Sequence, residues 1–253
     1  MHNPKSISEF YDNLTPDYDA MTDFENRLGR EAAVFRPIID RLAIQTALDA
    51  GAGTGFHSLV LSKLGVNVTA VDISAEMIGK LKENSEKLRI PVDAVVSDFE
   101  TLTKHISATF DAVFCLGNSL VHLLTEDALL KSISNFHSLL KPGGVLVIQI
   151  LNYDRIIKER NRVQSIRKAG DTTFIRFYDY CENRLFFNIL TVKEADNKID
   201  HTINTVELHP LLKEEMSIYL ERVGFISTEH YGSLRFESFD ENKSSNSVTL
   251  AVK

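Results

Sequence analysis

Asp49, three closely spaced glycines and Asp72 form the part of this sequence best equipped for chemistry. The stretch Ala47-Leu48-Asp49-Ala50-Gly51-Ala52-Gly53-Thr54-Gly55-Phe56-His57 follows an apolar, β-branched run beginning at Ile44. Helix-like apolar spacing follows from Phe56 to Leu64. The order is strand, glycine turn, helix N-terminus. Glycines there let the backbone turn sharply and let a ligand approach without a Cβ in the way. A dinucleotide loop fails on two counts. The spacing is G-x-G-x-G, with Phe56 where G-x-G-x-x-G needs its third glycine. Asp49 would also oppose a pyrophosphate seated on the helix N-terminus. A cofactor carrying ammonium and sulfonium charges suits that acid, and S-adenosylmethionine (SAM) is such a cofactor.

Further positions extend the candidate site. Gly65 to Asp72 is a short β-branched run ending in an acid, placed to accept both ribose hydroxyls. Gly51 and Gly53 in the turn, with Ile73 and Met77 just beyond Asp72, complete this part of the cofactor set. Asp98-Phe99 follows a third strand: Asp98 can accept an adenine amino group and Phe99 can line the ring, while an acidic cap over a packed aromatic is the plainer alternative. Leu116-Gly117-Asn118-Ser119-Leu120-Val121-His122 follows a fourth strand, at the sheet edge where open α/β folds keep their chemistry. Asn118 offers a donor and an acceptor, with His122 four residues on. Asn152-Tyr153-Asp154, after a fifth strand, faces either the substrate or solvent. The basic residues from Arg155 to Lys168 read as a solvated face.

These residues need a parallel sheet to bring them together. The spacing predicts strands at 44–50, 66–71, 92–97, 110–116 and 144–151, alternating with helices at 55–64, 75–88, 99–106 and 125–140. Alternation of this kind means an α/β, doubly wound, mainly parallel sheet with helices on both faces. Lys141-Pro142-Gly143-Gly144 reads as the close of the fourth of these helices. Upstream, Phe10 to Asp19 is aromatic and acidic without a clear period. A helix is expected from Phe24 to Leu42, kinked or divided at Pro37. Residues 161–209 are rich in β-formers, with turns at Lys168–Asp171 and Ala195–Lys198, and read as an antiparallel insert. A helix from Leu211 to Val223 and strands near Gly224 and from Ser247 to Val252 complete a seven-stranded core. The expected organisation is one domain over 1–253, with a helical lid at 1–43 and a substrate-pocket insert at 161–209.

Composition narrows the function. At 253 residues the chain can bury a large core, and a net charge of −7 opposes a broad grip on nucleic acid. Cys115 and Cys181 lie in apolar runs with no zinc or disulfide spacing. Met1 to Phe10 holds no apolar signal segment, and no apolar run is long enough to span a membrane. A cytoplasmic enzyme acting on a small molecule is expected, with no metal.

The quoted motifs resemble the class I SAM-dependent methyltransferases, most nearly the glycine/sarcosine N-methyltransferase-like branch. The resemblance rests on Leu48 to Gly55, Val71-Asp72-Ile73-Ser74, Cys115 to Ser119 with His122, Pro142-Gly143-Gly144 and Asn152-Tyr153-Asp154. It implies a Rossmann-like fold. It also implies SAM contacts from Gly51, Asp72, Asp98, Phe99, Leu116 and His122, and a substrate contact from Asn118. Tyr18 and an arginine of the following helix, Arg27 ahead of Arg30, are implied to hold the methionine end. Glycine-methylating members carry arginine just before Asn-Tyr-Asp to grip the substrate carboxylate, and here Leu151 stands there. Arg155 and Arg176 are the nearest alternatives by sequence, and neither occupies the matching position. Glycine and sarcosine are therefore expected to be poor acceptors, and a bulkier, less anionic amine to be preferred. Phe99 likewise replaces a tryptophan often found beside the adenine.

The expected reaction is methyl transfer to an amine nitrogen, with Asn118, Tyr153 and Tyr18 around the reacting atoms. An unprotonated amine needs no strong base; an oxygen nucleophile would need one, with His122 or Tyr153 first in line. The alternatives are a non-catalytic SAM sensor or partner subunit, an O-methyltransferase and an RNA methyltransferase. An NAD-dependent oxidoreductase is opposed by Asp49 and Phe56.

Overall fold

The computed structural model describes residues 4–195 and 198–253, so part of the turn expected at Ala195–Lys198 lies outside the described residues. Five strands, β1 (Thr46–Ala50), β2 (Asn67–Asp72), β3 (Asp93–Val96), β4 (Phe110–Cys115) and β5 (Leu140–Leu151), run parallel. With β10 (Ser227–Tyr231) and β11 (Asn246–Val252) they make a seven-stranded sheet in the order β10-β11-β5-β4-β1-β2-β3. Only β11 opposes its neighbours, β5 and β10. The strand order therefore reverses between β1 and β4, leaving a crevice at their carboxyl ends.

The central strands are apolar on both faces because both are covered. Leu48, Val113, Cys115, Leu146 and Ile148 pack on one side with Leu129, Ile133 and Phe136 of α6 (Glu126–Leu139) and Leu220 of α8 (Lys213–Val223). The alternate residues Ala47, Ala112, Phe114, Val145 and Val147 pack on the other. Their partners are Phe35 and Ile38 of α2 (Phe24–Leu42) and Leu59 and Leu61 of α3 (Phe56–Lys63). Helix α4 (Ala75–Leu88) starts under the Ser74 hydroxyl, which accepts the Met77 amide at 3.0 Å, and the short α5 (Leu102–His105) follows β3.

Three stretches differ from the sequence reading. Residues 10–19 lie in a helix, α1 (Ile7–Thr22), capped by Ser6 and running through Pro16. Its period is hidden because two faces carry aromatics: Phe10, Leu14 and Met21 enter the core, while Tyr11 and Tyr18 line a cavity. Helix α2 runs unbroken through Pro37. Lys141 to Gly144 belongs to β5 and does not cap α6, because Gly143 and Gly144 exchange backbone bonds with Lys253 and extend the ladder.

Between β5 and α8 lie α7 (Tyr153–Glu159) and a second sheet of four antiparallel strands. These are β6 (Val163–Ala169), β7 (Thr172–Cys181), β8 (Arg184–Ala195) and β9 (Lys198–Leu208), in sequential order. The inward residues Phe174, Tyr178, Leu185, Ile189 and Val206 join the same buried cluster as α1 and α6.

Candidate active site

The carboxyl ends of β1, β2 and β4 open into a cavity of about 700 Å³, walled also by α1, α2, the four-stranded sheet, residues 233–235 and Glu237. The glycine turn forms its floor. Gly51 and Ala52 both donate to the Val71 carbonyl, at 2.8 and 2.9 Å, so the turn is clamped to β2. A Cβ on Gly51 would stand 2.5 Å from Ser119 Oγ and 3.3 Å from Phe99, at a φ of +83° that side chains avoid. At Gly53 the nearest neighbour of such an atom would be the Tyr18 ring, 3.8 Å away.

Asp72 ends β2 on the cavity wall. Its Oδ2 accepts the Gly53 amide at 2.8 Å and its Oδ1 the Ser74 amide at 2.9 Å. Each oxygen keeps a further lone pair for a ligand hydroxyl. Burial raises its pKa, and the amides of Ser74 and Gly53 pull it back. Asp98 lines the cavity, and its Oδ1 accepts from Thr101 N and Oγ1, both at 2.7 Å; the cap of the short helix that follows is Thr101. Ile73, Phe99 and Leu116 add apolar wall.

Asn118 turns off β4 with φ +75°. Its Oδ1 accepts the Leu151 amide at 3.0 Å, and its Nδ2 donates to the Tyr153 hydroxyl at 2.9 Å. A backbone amide can only donate, so these bonds fix which end of the side chain is oxygen. His122, in a 3-10 turn (Leu120–His122), shares a 2.8 Å hydrogen bond through Nε2 with the Tyr11 hydroxyl, while Nδ1 has no partner among the described residues. Burial lowers the His122 pKa to about 4 and raises that of Tyr18 to about 12.

Three expected site residues lie elsewhere. Asp49 does not reach the cavity; it is buried beneath the turn and accepts the Ser58 hydroxyl at 2.5 Å. Met77 is fully buried in the first turn of α4, because the Ser74 cap directs that turn inward. Tyr153 is also fully buried and meets the cavity only through Asn118, which makes it a positioning residue. Its neighbours Asn152 and Asp154 are likewise structural: Asn152 caps α7 and holds the carbonyls of Glu241 and Ser244, and Asp154 accepts the Lys213 amide.

Of the two arginines proposed near the methionine end, Arg27 lines the cavity, over the Phe56 ring at 4.2 Å. Arg30 points to solvent and pairs with Asp23. Sequence reasoning missed Gln149 and Asn246 as wall residues, and Arg176, set aside there because it does not occupy the position of Leu151, also lines the cavity. The first two sit on opposed strands and bond each other, Gln149 Nε2 to Asn246 Oδ1 at 2.8 Å.

The model of a methyltransferase domain matches residues 47–144, which hold the glycine turn, Asp72, Asp98 and Asn118. A glycine/sarcosine N-methyltransferase of Aphanothece halophytica is 30% identical over 233 residues, covering 90% of this chain and 84% of that protein. The chain belongs to the class I SAM-dependent methyltransferases. A second such relative, a glycine/sarcosine N-methyltransferase of Halorhodospira halochloris, is 29% identical over 90% of this chain and 82% of its own. The methyltransferase also shares its fold with a SAM-dependent methyltransferase of Clostridium acetobutylicum. That match has a TM-score of 0.78 at 16% identity, covering 93% of this chain and 98% of the other. The cofactor is SAM, and the cavity fits it: Arg27 and Glu31 line it with opposite charges for a zwitterionic end, with spare acceptors on Asp72 and apolar wall from Ile73 and Phe99. No helix among the described residues is long and apolar enough to cross a membrane.

Proposed function

We propose that this methyltransferase acts on the amine nitrogen of a small molecule in the cytoplasm. The observation that carries this reading is the state of the protic groups around Asn118. His122 holds a pKa near 4 and is engaged by Tyr11, while burial raises the phenols of Tyr11 and Tyr18 above their usual value. None of the three is poised near neutrality to strip a proton from an oxygen nucleophile, whereas a free amine brings its own lone pair. The names of the relatives point the same way.

Bound SAM supplies an electrophilic sulfonium methyl. Asp72 would accept its ribose hydroxyls, Asp98 its adenine amino group, and Arg27 with Tyr18 would hold the methionine end. Phe99, Ile73 and Leu116 would exclude water around the base, with Gly51 and Gly53 giving room beneath. His122 would add a wall contact. Asn118 would take an acceptor N–H on the remaining lone pair of Oδ1 and so aim the nitrogen lone pair. Helices α1 and α2 would act as a lid on this single domain, and the four-stranded sheet as the acceptor-side wall.

Incubation with methyl-labelled SAM and a panel of amines, phenols, carboxylic acids and tRNA tests the reading. Label on an amine nitrogen is expected. Label confined to oxygen or RNA, or tight SAM binding with no transfer to any acceptor, would overturn it.

A further inference from the structure

The four-stranded sheet contributes one residue whose placement the methyl-transfer reading leaves unexplained. On β7 the side chains of Phe174, Arg176 and Tyr178 share a face, because strand residues two apart point the same way. Phe174 and Tyr178 are buried in the core, and the residue opposite Arg176 on β8 is the buried Ile189. A cation thus stands in an apolar row, facing the cavity.

Its partners are few. Arg176 Nε donates to Ser165 Oγ at 2.8 Å, which uses one donor and fixes the plane of the head group. Among the described residues no carboxylate lies within ion-pairing reach of it. Of the other four arginines of this sheet and the turn leading into it, Arg162 pairs with Asp179, Arg167 with Asp23 and Arg184 with Glu207, while Arg160 lies over the Tyr180 ring at 4.9 Å. Burial lowers the Arg176 pKa, as expected for a cation without a counter-charge. An unpaired, partly desolvated guanidinium on the wall of a cavity is costly unless an anion arrives there. The side chain has four further N–H donors on its terminal nitrogens, two of which can meet both oxygens of a carboxylate.

We propose that Arg176 selects the methyl acceptor by binding a carboxylate on it, so that the acceptor is an amino acid or a related amine held between Arg176 and Asn118. This rests on the amine reading above and replaces the expectation of a less anionic acceptor. That expectation rested on the absence of arginine at position 151 and set Arg155 and Arg176 aside because neither occupies the matching position. Leu151 does line the cavity, and Arg155 turns away to the Lys243 carbonyl. The guanidinium instead enters from the insert, a segment with no sequence motif linking it to the site.

The test pairs each of glycine, β-alanine and γ-aminobutyrate with its uncharged amide. Binding is measured by calorimetry with S-adenosylhomocysteine present, and methyl transfer in parallel. The wild type should bind at least one acid tenfold or more tightly than its amide. Arg176→Gln should erase that preference while leaving S-adenosylhomocysteine affinity within about threefold, and Arg176→Lys should restore part of it. Equal binding of acid and amide across the series by the folded wild type would overturn the proposal, even if amines are methylated. So would an Arg176→Gln variant that loses the cofactor product rather than the acid, because the guanidinium would then belong to the methionine end. Transfer only to oxygen, with the acid preference intact, would count against the amine reading and not against Arg176.

Discussion

The Tyr153 hydroxyl holds the Asn118 amide from beneath the cavity wall, at 2.9 Å, while the Leu151 amide holds its other end at 3.0 Å. Tyr153→Phe should therefore free one end of Asn118 without touching the cofactor pocket. A lost hydrogen bond of this kind is worth about 1 kcal/mol. Acceptor kcat/KM should fall roughly fivefold to tenfold, with SAM affinity unchanged in calorimetry. Unchanged turnover, or an equal loss of SAM binding, would contradict the positioning role.

Asp72→Asn keeps the shape at the end of β2 but removes the charge that the ribose hydroxyls would meet. Charge-assisted bonds are worth about 1.5–3 kcal/mol, so SAM affinity should drop roughly tenfold or more. Titration of the folded variant measures this, and NAD should show no binding to the wild type. SAM affinity equal to wild type would mean the ribose lies elsewhere.

Gly51→Ala places a methyl group 2.5 Å from Ser119 Oγ at a left-handed φ. The backbone term alone costs about 1–2 kcal/mol. The melting temperature and SAM affinity should both fall, and Ser119→Gly in the same chain should recover part of the loss. A variant as stable as wild type would show that the turn can relax.

Burial raises the Asp49 pKa to about 6 from an ordinary 3.8. Between those values the folded chain binds more protons than the unfolded one, so stability falls as pH rises. Above about pH 6 the full cost, about 3 kcal/mol, is present. Asp49→Asn, which can still accept the Ser58 hydroxyl, should thus stabilise the cofactor-free protein at pH 7.5 and have little effect at pH 4. Thermal melts at the two pH values check this; an equal shift at both would refute it.

His122 stays neutral from pH 6 upward, its pKa being held near 4 by burial. The rise of kcat/KM with pH should then follow deprotonation of the acceptor amine and survive in His122→Gln. Loss of that limb in the variant would assign His122 the proton and favour an oxygen acceptor.

The α/β frame and the glycine turn were legible in the sequence because each rests on local pattern: apolar runs of strand length, glycine spacing, and acids at strand ends. Asp49 and Met77 show where that reading stops. Asp49 stands two residues before the wall residue Gly51 and Met77 four after Ile73, yet strand alternation and the inward start of α4 carry them below the cavity. Arg176 shows the converse. Its meeting with the site depends on how the four-stranded sheet packs against α1 and the turn at Leu120–His122, a long-range contact with no local trace. Helix α1 was obscured because its buried face and its cavity face together leave few plainly polar positions.

The pairing of β5 with β11 has a consequence during synthesis. Leu151 and its partner Asn246 both line the cavity, and 95 residues separate them (246 − 151). At roughly 5–20 residues per second, the ribosome needs about 5–19 s to deliver β11 after β5 has been made. Throughout that interval a twelve-residue strand, mostly apolar from Val145 to Leu151, offers an unpaired edge to any neighbouring nascent chain. Substitutions that weaken β11 should therefore lower soluble yield through aggregation on the polysome before any effect on SAM affinity is seen.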